Sequence, residues 1–276
     1  MRSGSQNEDR HYPVIMGIVN ITPDSFSDGG LALDAGAAVA QAEQLNSEGA
    51  DIIDFGAEST RPGARPISID EEWFRLEPVL RRLMGLSKRS FKISLDSRNE
   101  RTVLRALEWN IDIVNNVAGL YSQSVLKAIA DASVGYVAMH SHGNPQIMQA
   151  QPLRGIQAVE AVDAFFSHSF QKLKDAGIKD EKIYLDPGIG FGKDDTANLR
   201  VLARTCDWVK KYQLLIGISR KSWIGRQMHI EKPIDRDPAS KGIELGLMIA
   251  GVAAIRTHQV GVLGRLREMA FGSQDE

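Results

Sequence analysis

Three side chains able to grip a flat, nitrogen-rich ring are spread through the chain: Asp96, Asn115 and Asp186. A carboxylate accepts two parallel hydrogen bonds and an amide both donates and accepts, so the trio suits a heterocycle with adjacent N–H donors. The same two carboxylates could serve as an acid–base pair or as metal ligands, and residue types alone do not choose. Lys221, Arg256 and His258 bring cationic donors that suit a phosphate or diphosphate. Lys221 could instead form a Schiff base, but with Arg220 and Ser222 beside it, it reads as a rim cation rather than a desolvated amine. His140 and His142 have the i, i+2 spacing of a metal pair, yet the chain lacks the further ligands of a two-metal hydrolase barrel. The glycines of 186–193 (DPGIGFGK) miss the phosphate-loop and dinucleotide spacings and read as a tight turn presenting Asp186.

Short apolar, often β-branched runs precede these residues, at 14–20, 51–56, 91–96, 112–117, 134–139, 182–186, 214–219 and 252–256. They are too continuous for half-solvated strands and read as parallel strands buried on both faces. Stretches of helical period separate them, at 33–48, 70–86, 100–109, 122–132, 158–175, 195–212, 237–250 and 261–271. Asp70, Glu71 and Glu72 put acid into a first turn, and Gly177 marks a helix stop. Strand followed by helix eight times predicts an α/β fold: a single (β/α)8 TIM barrel with parallel strands over 13–271. Flexible tails at 1–12 and 272–276 flank it. An open doubly wound sheet is the competing arrangement. In a barrel, chemistry sits at the C-terminal strand ends. There the runs close on Asn20, Glu58 to Arg61, Asp96, Asn115, His140, Asp186, Ser219 to Ser222, and Arg256 to His258. So many polar groups on one rim must pair with one another or with a ligand.

Composition bounds the rest. The chain has 276 residues with 33 basic and 35 acidic side chains, a net charge of -2 that argues against a broad nucleic-acid-binding surface. One cysteine excludes an internal disulfide; Cys206, within VLARTC at 201–206, reads as a buried helical thiol. No apolar run approaches the roughly 20 residues that span a bilayer, and the first ten residues lack a secretory core. These features predict a soluble cytoplasmic protein with no membrane or nucleic-acid partner.

Taken together the motifs resemble the dihydropteroate synthase family. The stretch 16–30 (MGIVNITPDSFSDGG) resembles its first signature and 58–63 (ESTRPG) its second-loop signature. Matches at 94–97, 115–117, 185–193, 217–225 and 256–258 follow in family order. The resemblance implies the eightfold barrel, usually a homodimer. It implies the joining of 6-hydroxymethyl-7,8-dihydropterin diphosphate to 4-aminobenzoate, with Mg2+ as cofactor and pyrophosphate released. It assigns the pterin to Asp96, Asn115, Met139, Asp186 and Lys221, and the diphosphate to Asn20, Arg256 and His258, with Asn20 as magnesium ligand. Phe26, Thr60, Arg61, Pro62, Phe191 and Ser222 fall on the aminobenzoate side. Asp28, on the mobile first loop, joins Arg61 and Lys221 as catalytic residues. Two stretches depart from the family: HSHGNP at 140–145, and Thr257 and Gln259 around the last signature. The second loop, TRPGARP at 60–66, keeps the ordinary pattern and predicts sensitivity to sulfonamide inhibitors. The nearest rivals are a pterin-binding methyltransferase, which has no diphosphate to cradle, and a non-catalytic pterin binder. The latter would lose Asn20, Lys221, Arg256 or His258.

Overall fold

A computed structural model describes residues 12–21, 31–58, 66–86, 89–143 and 151–272. The expectations placed on Phe26, Asp28, Thr60, Arg61 and Pro62, on residues 144–145 and on most of both tails lie outside these residues. The strands are β1 (Val14–Asn20), β2 (Ile52–Gly56), β3 (Lys92–Asp96), β4 (Ile113–Asn116), β5 (Gly135–Met139), β6 (Ile183–Asp186), β7 (Leu215–Gly217) and β8 (Ala254–Thr257). All pair in parallel, in the order β6-β5-β4-β3-β2-β1-β8-β7. Between β6 and β7 the pairing narrows to a bridge of Leu185 with Leu214, where Leu185 N donates to Gln213 O at 2.9 Å. That bridge leaves the ring nearly closed, a single (β/α)8 barrel as the alternation predicts.

The helices are α1 (Leu31–Ser47), α2 (Ile69–Met84), α3 (Glu100–Ala106), α4 (Gln123–Asp131), α5 (Gly155–Asp175), α6 (Asp195–Trp208), α7 (Ser222–Met228), α8 (Asp237–Ile249) and α9 (Val260–Phe271). Ser68 caps α2 by accepting from Glu71 N at 3.1 Å, ahead of the expected acidic turn. Gly177 takes φ 97° just past α5, the left-handed stop that glycine makes cheap. The short α7 was not expected: the polar run Ser219 to Lys221 and Gly225 hide its single apolar pair, Trp223 and Ile224. A second expectation fails at Cys206, which is exposed rather than buried. Helix α6 turns Val201, Thr205 and Trp208 inward, and a residue next to Thr205 lies about 100° further round the helix.

Strand parity splits the core in two. Ile53, Phe55, Ile93, Leu95, Val114, Tyr136, Leu185, Ile216 and Ile255 join the large cluster shared with the helices. The alternate residues Met16, Ile52, Ile113, Val137, Leu215 and Ala254 form a small separate cluster that plugs the barrel interior. Two residues further along, the inward positions become Asp54, Ser94, Asn115, Met139 and Arg256. The plug is therefore the floor on which the polar groups stand.

The opposite, N-terminal end is tied by Arg267 of α9. Its guanidinium donates to Pro13 O at 3.0 Å, Gly49 O at 3.0 Å and Asp51 Oδ2 at 2.6 Å, and lies 4.6 Å from the ring centre of Tyr12. Asp51 in turn accepts Ile15 N at 2.7 Å. Replacing Arg267 with methionine takes this donor from two carbonyls and leaves Asp51 without its cation, and should cost roughly 2 kcal/mol of stability. Urea unfolding measures it; a midpoint equal to the parent's would show that the clamp contributes nothing.

Candidate active site

Arg256 organises the cup above the plug. From β8 its Nε donates to Asp54 Oδ2 at 2.6 Å and its Nη2 to Asp96 Oδ2 at 3.0 Å. Asp54 also accepts Asn115 Nδ2 at 3.0 Å and Ser94 Oγ at 2.5 Å. Side chains from β2, β3, β4 and β8 thus meet at one fully buried carboxylate. Sequence reasoning passed over Asp54, because it sits inside the apolar run rather than at its end. The available signal was its parity: it shares a face with Ile52 and points where the interior turns polar.

Asp96 is buried next to Asp54, and burial, with the Asp54 charge second, pushes its carboxyl up to about 7 against the pull of Arg256. Its backbone is held from behind. Glu72 of α2, fully buried, accepts Ser97 Oγ at 2.9 Å, Asn99 Nδ2 at 2.9 Å and Thr102 Oγ1 at 2.5 Å, fixing the turn that follows β3. Glu58 pairs with Arg98 through two bonds of 2.8 and 2.7 Å, linking the exits of β2 and β3.

Asp186 closes β6, paired in register with Met139 of β5. Its Oδ1 accepts Gly188 N at 2.7 Å, so the glycine segment does act as a turn presenting the carboxylate. Burial raises its pKa, opposed first by the nearby Lys221. Lys221 corrects an expectation. Arg220 does not share its environment: it adopts φ 59° and turns to Asp237, which it grips at 2.8 and 2.9 Å. Lys221 instead folds inward, donates to Ile189 O and sits 4.7 Å from the ring centre of Phe191. Burial lowers its pKa to about 8, so it is a partly desolvated amine rather than a solvated rim cation.

His258 follows β8. Its N–H donates to Ser219 Oγ at 3.3 Å, and its Nδ1 lies 3.1 Å from the same oxygen. Asn20 ends β1 half-buried, in register with Gly56, while Ser222 opens α7 exposed. His140 does not pair with His142: its Nδ1 lies 2.9 Å from Lys193 Nζ and its ring meets Phe165 edge-on. Among the described residues no three His, Cys, Asp or Glu side chains gather as a metal cage. The departures at Thr257 and Gln259 are both engaged. Thr257 Oγ1 accepts Lys241 Nζ at 2.6 Å, and Gln259 Nε2 donates to Asp237 at 2.7 Å.

The cup therefore brings Asp96, Asn115, Met139, Asp186, Lys221 and Arg256 to one end of the barrel, acceptors deep and cationic donors around them. Such a site can hold a polar ring by its N–H edge and an anionic arm by its charge. A family model described as pterin binding enzyme matches residues 16–258. The dihydropteroate synthase of Neisseria meningitidis serogroup C is 40% identical over 253 residues, 90% of this chain and 88% of that protein. Among solved structures, the Xanthomonas albilineans dihydropteroate synthase with 4-aminobenzoic acid superposes with a TM-score of 0.84 at 34% identity, covering 94% of this chain and 92% of that one. The Yersinia pestis dihydropteroate synthase in a sulfonamide drug complex gives 0.84 at 30% identity, covering 100% of each chain.

The raised Asp96 carboxyl carries a pH signature. The native state holds its proton up to about 7 while the unfolded chain releases it near 3.8, so between these values the native state binds more protons. Stability is then full at acid pH and declines as pH rises through about 7. Thermal unfolding of the unliganded protein should show that decline, flattened in Asp96→Asn. An equally steep decline in the variant would put the titration elsewhere.

Proposed function

This chain belongs to the dihydropteroate synthase family of pterin-binding enzymes, and from that premise we propose how its barrel rim carries the reaction. The enzyme is a transferase of folate biosynthesis, condensing 6-hydroxymethyl-7,8-dihydropterin diphosphate with 4-aminobenzoate to give 7,8-dihydropteroate and pyrophosphate. The observation that carries the residue assignment is the shared guanidinium of Arg256, 2.6 Å from Asp54 and 3.0 Å from Asp96. It sets the cationic end of the cup directly against its ring-binding end.

Asp96 and Asp186 accept the pterin's N–H edge, with Asn115 and Met139 lining the same pocket. Asn115 spends its Nδ2 on Asp54 and keeps its amide oxygen for the ring. Lys221, the electrostatic neighbour of Asp186, stands with them at the pterin, and Asn20, Arg256 and His258 hold the diphosphate; Arg256 Nη1 makes no hydrogen bond among the described residues. Phe191, beneath Lys221, and Ser222 receive the aminobenzoate, together with Phe26, Thr60, Arg61 and Pro62. The family resemblance adds Asp28 and Arg61 to Lys221 as the catalytic residues.

The donor type at Asn20 suits magnesium. A neutral amide oxygen at the end of β1, one strand from Arg256, is a hard ligand, and Mg2+ is commonly held by one or two protein oxygens plus substrate phosphates and water. Bound there, the ion would neutralise charge on the diphosphate.

Chemistry follows from charge placement. The cations stabilise negative charge as the methylene C–O bond breaks, and the electron-rich pterin shares the positive charge left on that carbon. An aromatic amine is already neutral near pH 7, so it attacks without a strong base and sheds a proton once the C–N bond forms. Excluding water protects the separated charges.

We place the enzyme in the cytoplasm, since its one cysteine calls for no oxidising compartment. No helix among the described residues is long and apolar enough to cross a membrane. A second copy of the chain is the partner we assign, supported by the exposed apolar side chains Met228, Ile234 and Ile249 between α7 and the end of α8. The ordinary second-loop pattern and the drug complex of the Yersinia relative support sulfonamide sensitivity.

A coupled pyrophosphate assay tests the assignment. Release should require both substrates, and Lys221→Ala should lower kcat/KM about a hundredfold or more. Unchanged turnover in that variant would remove Lys221 from the site. A sulfonamide inhibition constant within about a hundredfold of the KM for aminobenzoate, roughly 3 kcal/mol, is expected; one thousands of times higher refutes the sensitivity.

A further inference from the structure

The lysine that ends the glycine segment has 1% of its surface exposed and forms no salt bridge among the described residues, although the Asp186 charge is near enough to favour its protonated form. Lys193 Nζ lies 2.9 Å from His140 Nδ1, 2.8 Å from Gly188 O and 3.1 Å from Phe191 O. An ammonium has three donors, and here each meets one acceptor. His140 is neutral, its pKa lowered to about 3 by burial and then by Lys193, so its Nδ1 can accept.

Two of the three acceptors belong to a turn that could otherwise take many shapes. Gly188, Gly190 and Gly192 adopt φ 62°, 87° and 64°. The turn is pressed onto the exit of β5: a Cβ at Gly188 would fall 1.8 Å from His140 O, and one at Gly192 would fall 2.2 Å from His142 O. Asn198 adds a second strut, accepting Gly190 N at 2.7 Å and donating to Lys193 O at 3.1 Å. With its floor and both ends fixed, the turn presents Phe191 at 4.7 Å from the Lys221 ammonium.

We propose that Lys193 is a positioning residue for the aromatic substrate, holding Phe191 and its stack with Lys221 in the orientation that receives 4-aminobenzoate. The inference rests on the assignment of Phe191 to that substrate. Burial lowers the pKa of Lys193 to about 7. The group is nevertheless shut from solvent and its hydrogen-bond partners are all protein atoms, so it acts as a strut rather than as a catalytic base. Nor is its charge needed for packing, since a methionine of similar length would bury without the cost of desolvating an ammonium.

The test is a double-mutant cycle on the full chain, using Lys193→Met, Phe191→Ala and their combination, with both substrates varied. Lys193→Met should raise the KM for 4-aminobenzoate about tenfold, leave the dissociation constant for pterin diphosphate within about threefold, and add little once Phe191 is gone. Lys193→Gln, which keeps two N–H groups for the carbonyls, should recover part of the loss. Additive effects would overturn the proposal, as would a loss of pterin affinity equal to the loss for aminobenzoate. If Lys193→Met fails to fold, Lys193→Gln decides, and a parental KM in it overturns the proposal. Phe191→Ala with an unchanged aminobenzoate KM would instead sink the assignment of Phe191.

Discussion

One guanidinium held between two buried carboxylates is the constraint on which the site depends. Arg256 lies 202 residues from Asp54 and 160 from Asp96 in the chain, yet one side chain bonds both. Two acids this close, in a space shielded from water, repel strongly unless a cation or a proton intervenes. The protein uses both remedies: Arg256 bridges the pair, and Asp96 retains its proton more firmly than a free carboxylate does. An isolated buried charge is costly, so this arrangement locks β2, β3 and β8 into one register at the rim. It also makes the pocket responsive. A ring that donates hydrogen bonds to Asp96 favours the ionised form, and Arg256 has a second carboxylate partner in Asp54.

Behind that contact the support becomes progressively more local. Glu72 gathers three donors from the turn after β3, and Glu58 is tied to Arg98 across the next loop. Each is a carboxylate with its partners satisfied, so neither competes for a ligand. The rigid parts are the strands and these backing networks. The aromatic face is different: it rests on a glycine turn whose shape is selected by Lys193 and Asn198.

Much of this was legible in the chain. The eight apolar runs and the residues closing them located β1 to β8 and nearly every polar side chain of the cup, because burial on both faces leaves an unmistakable composition. Side-chain direction was harder. Lys221 looked solvated next to Arg220, and only the left-handed backbone of Arg220, with Asp237 17 residues on, shows the two cations parting. Asp54 was hidden for the opposite reason, as a charge inside an apolar run, where parity rather than hydrophobicity was the clue. Cys206 shows the limit of local patterns on helices: one residue separates the buried face from the solvent face.

The Arg267 clamp also decides where the ends of the barrel emerge. Tyr12 and Phe271 meet edge-on, 6.4 Å between ring centres, on the face away from the cup. A surface tether attached at Tyr12 or Phe271 would therefore leave from beneath the barrel, away from its mouth. The same closeness makes the barrel a natural candidate for circular permutation, with Tyr12 and Phe271 joined by a short linker and the strand-helix ring cut elsewhere.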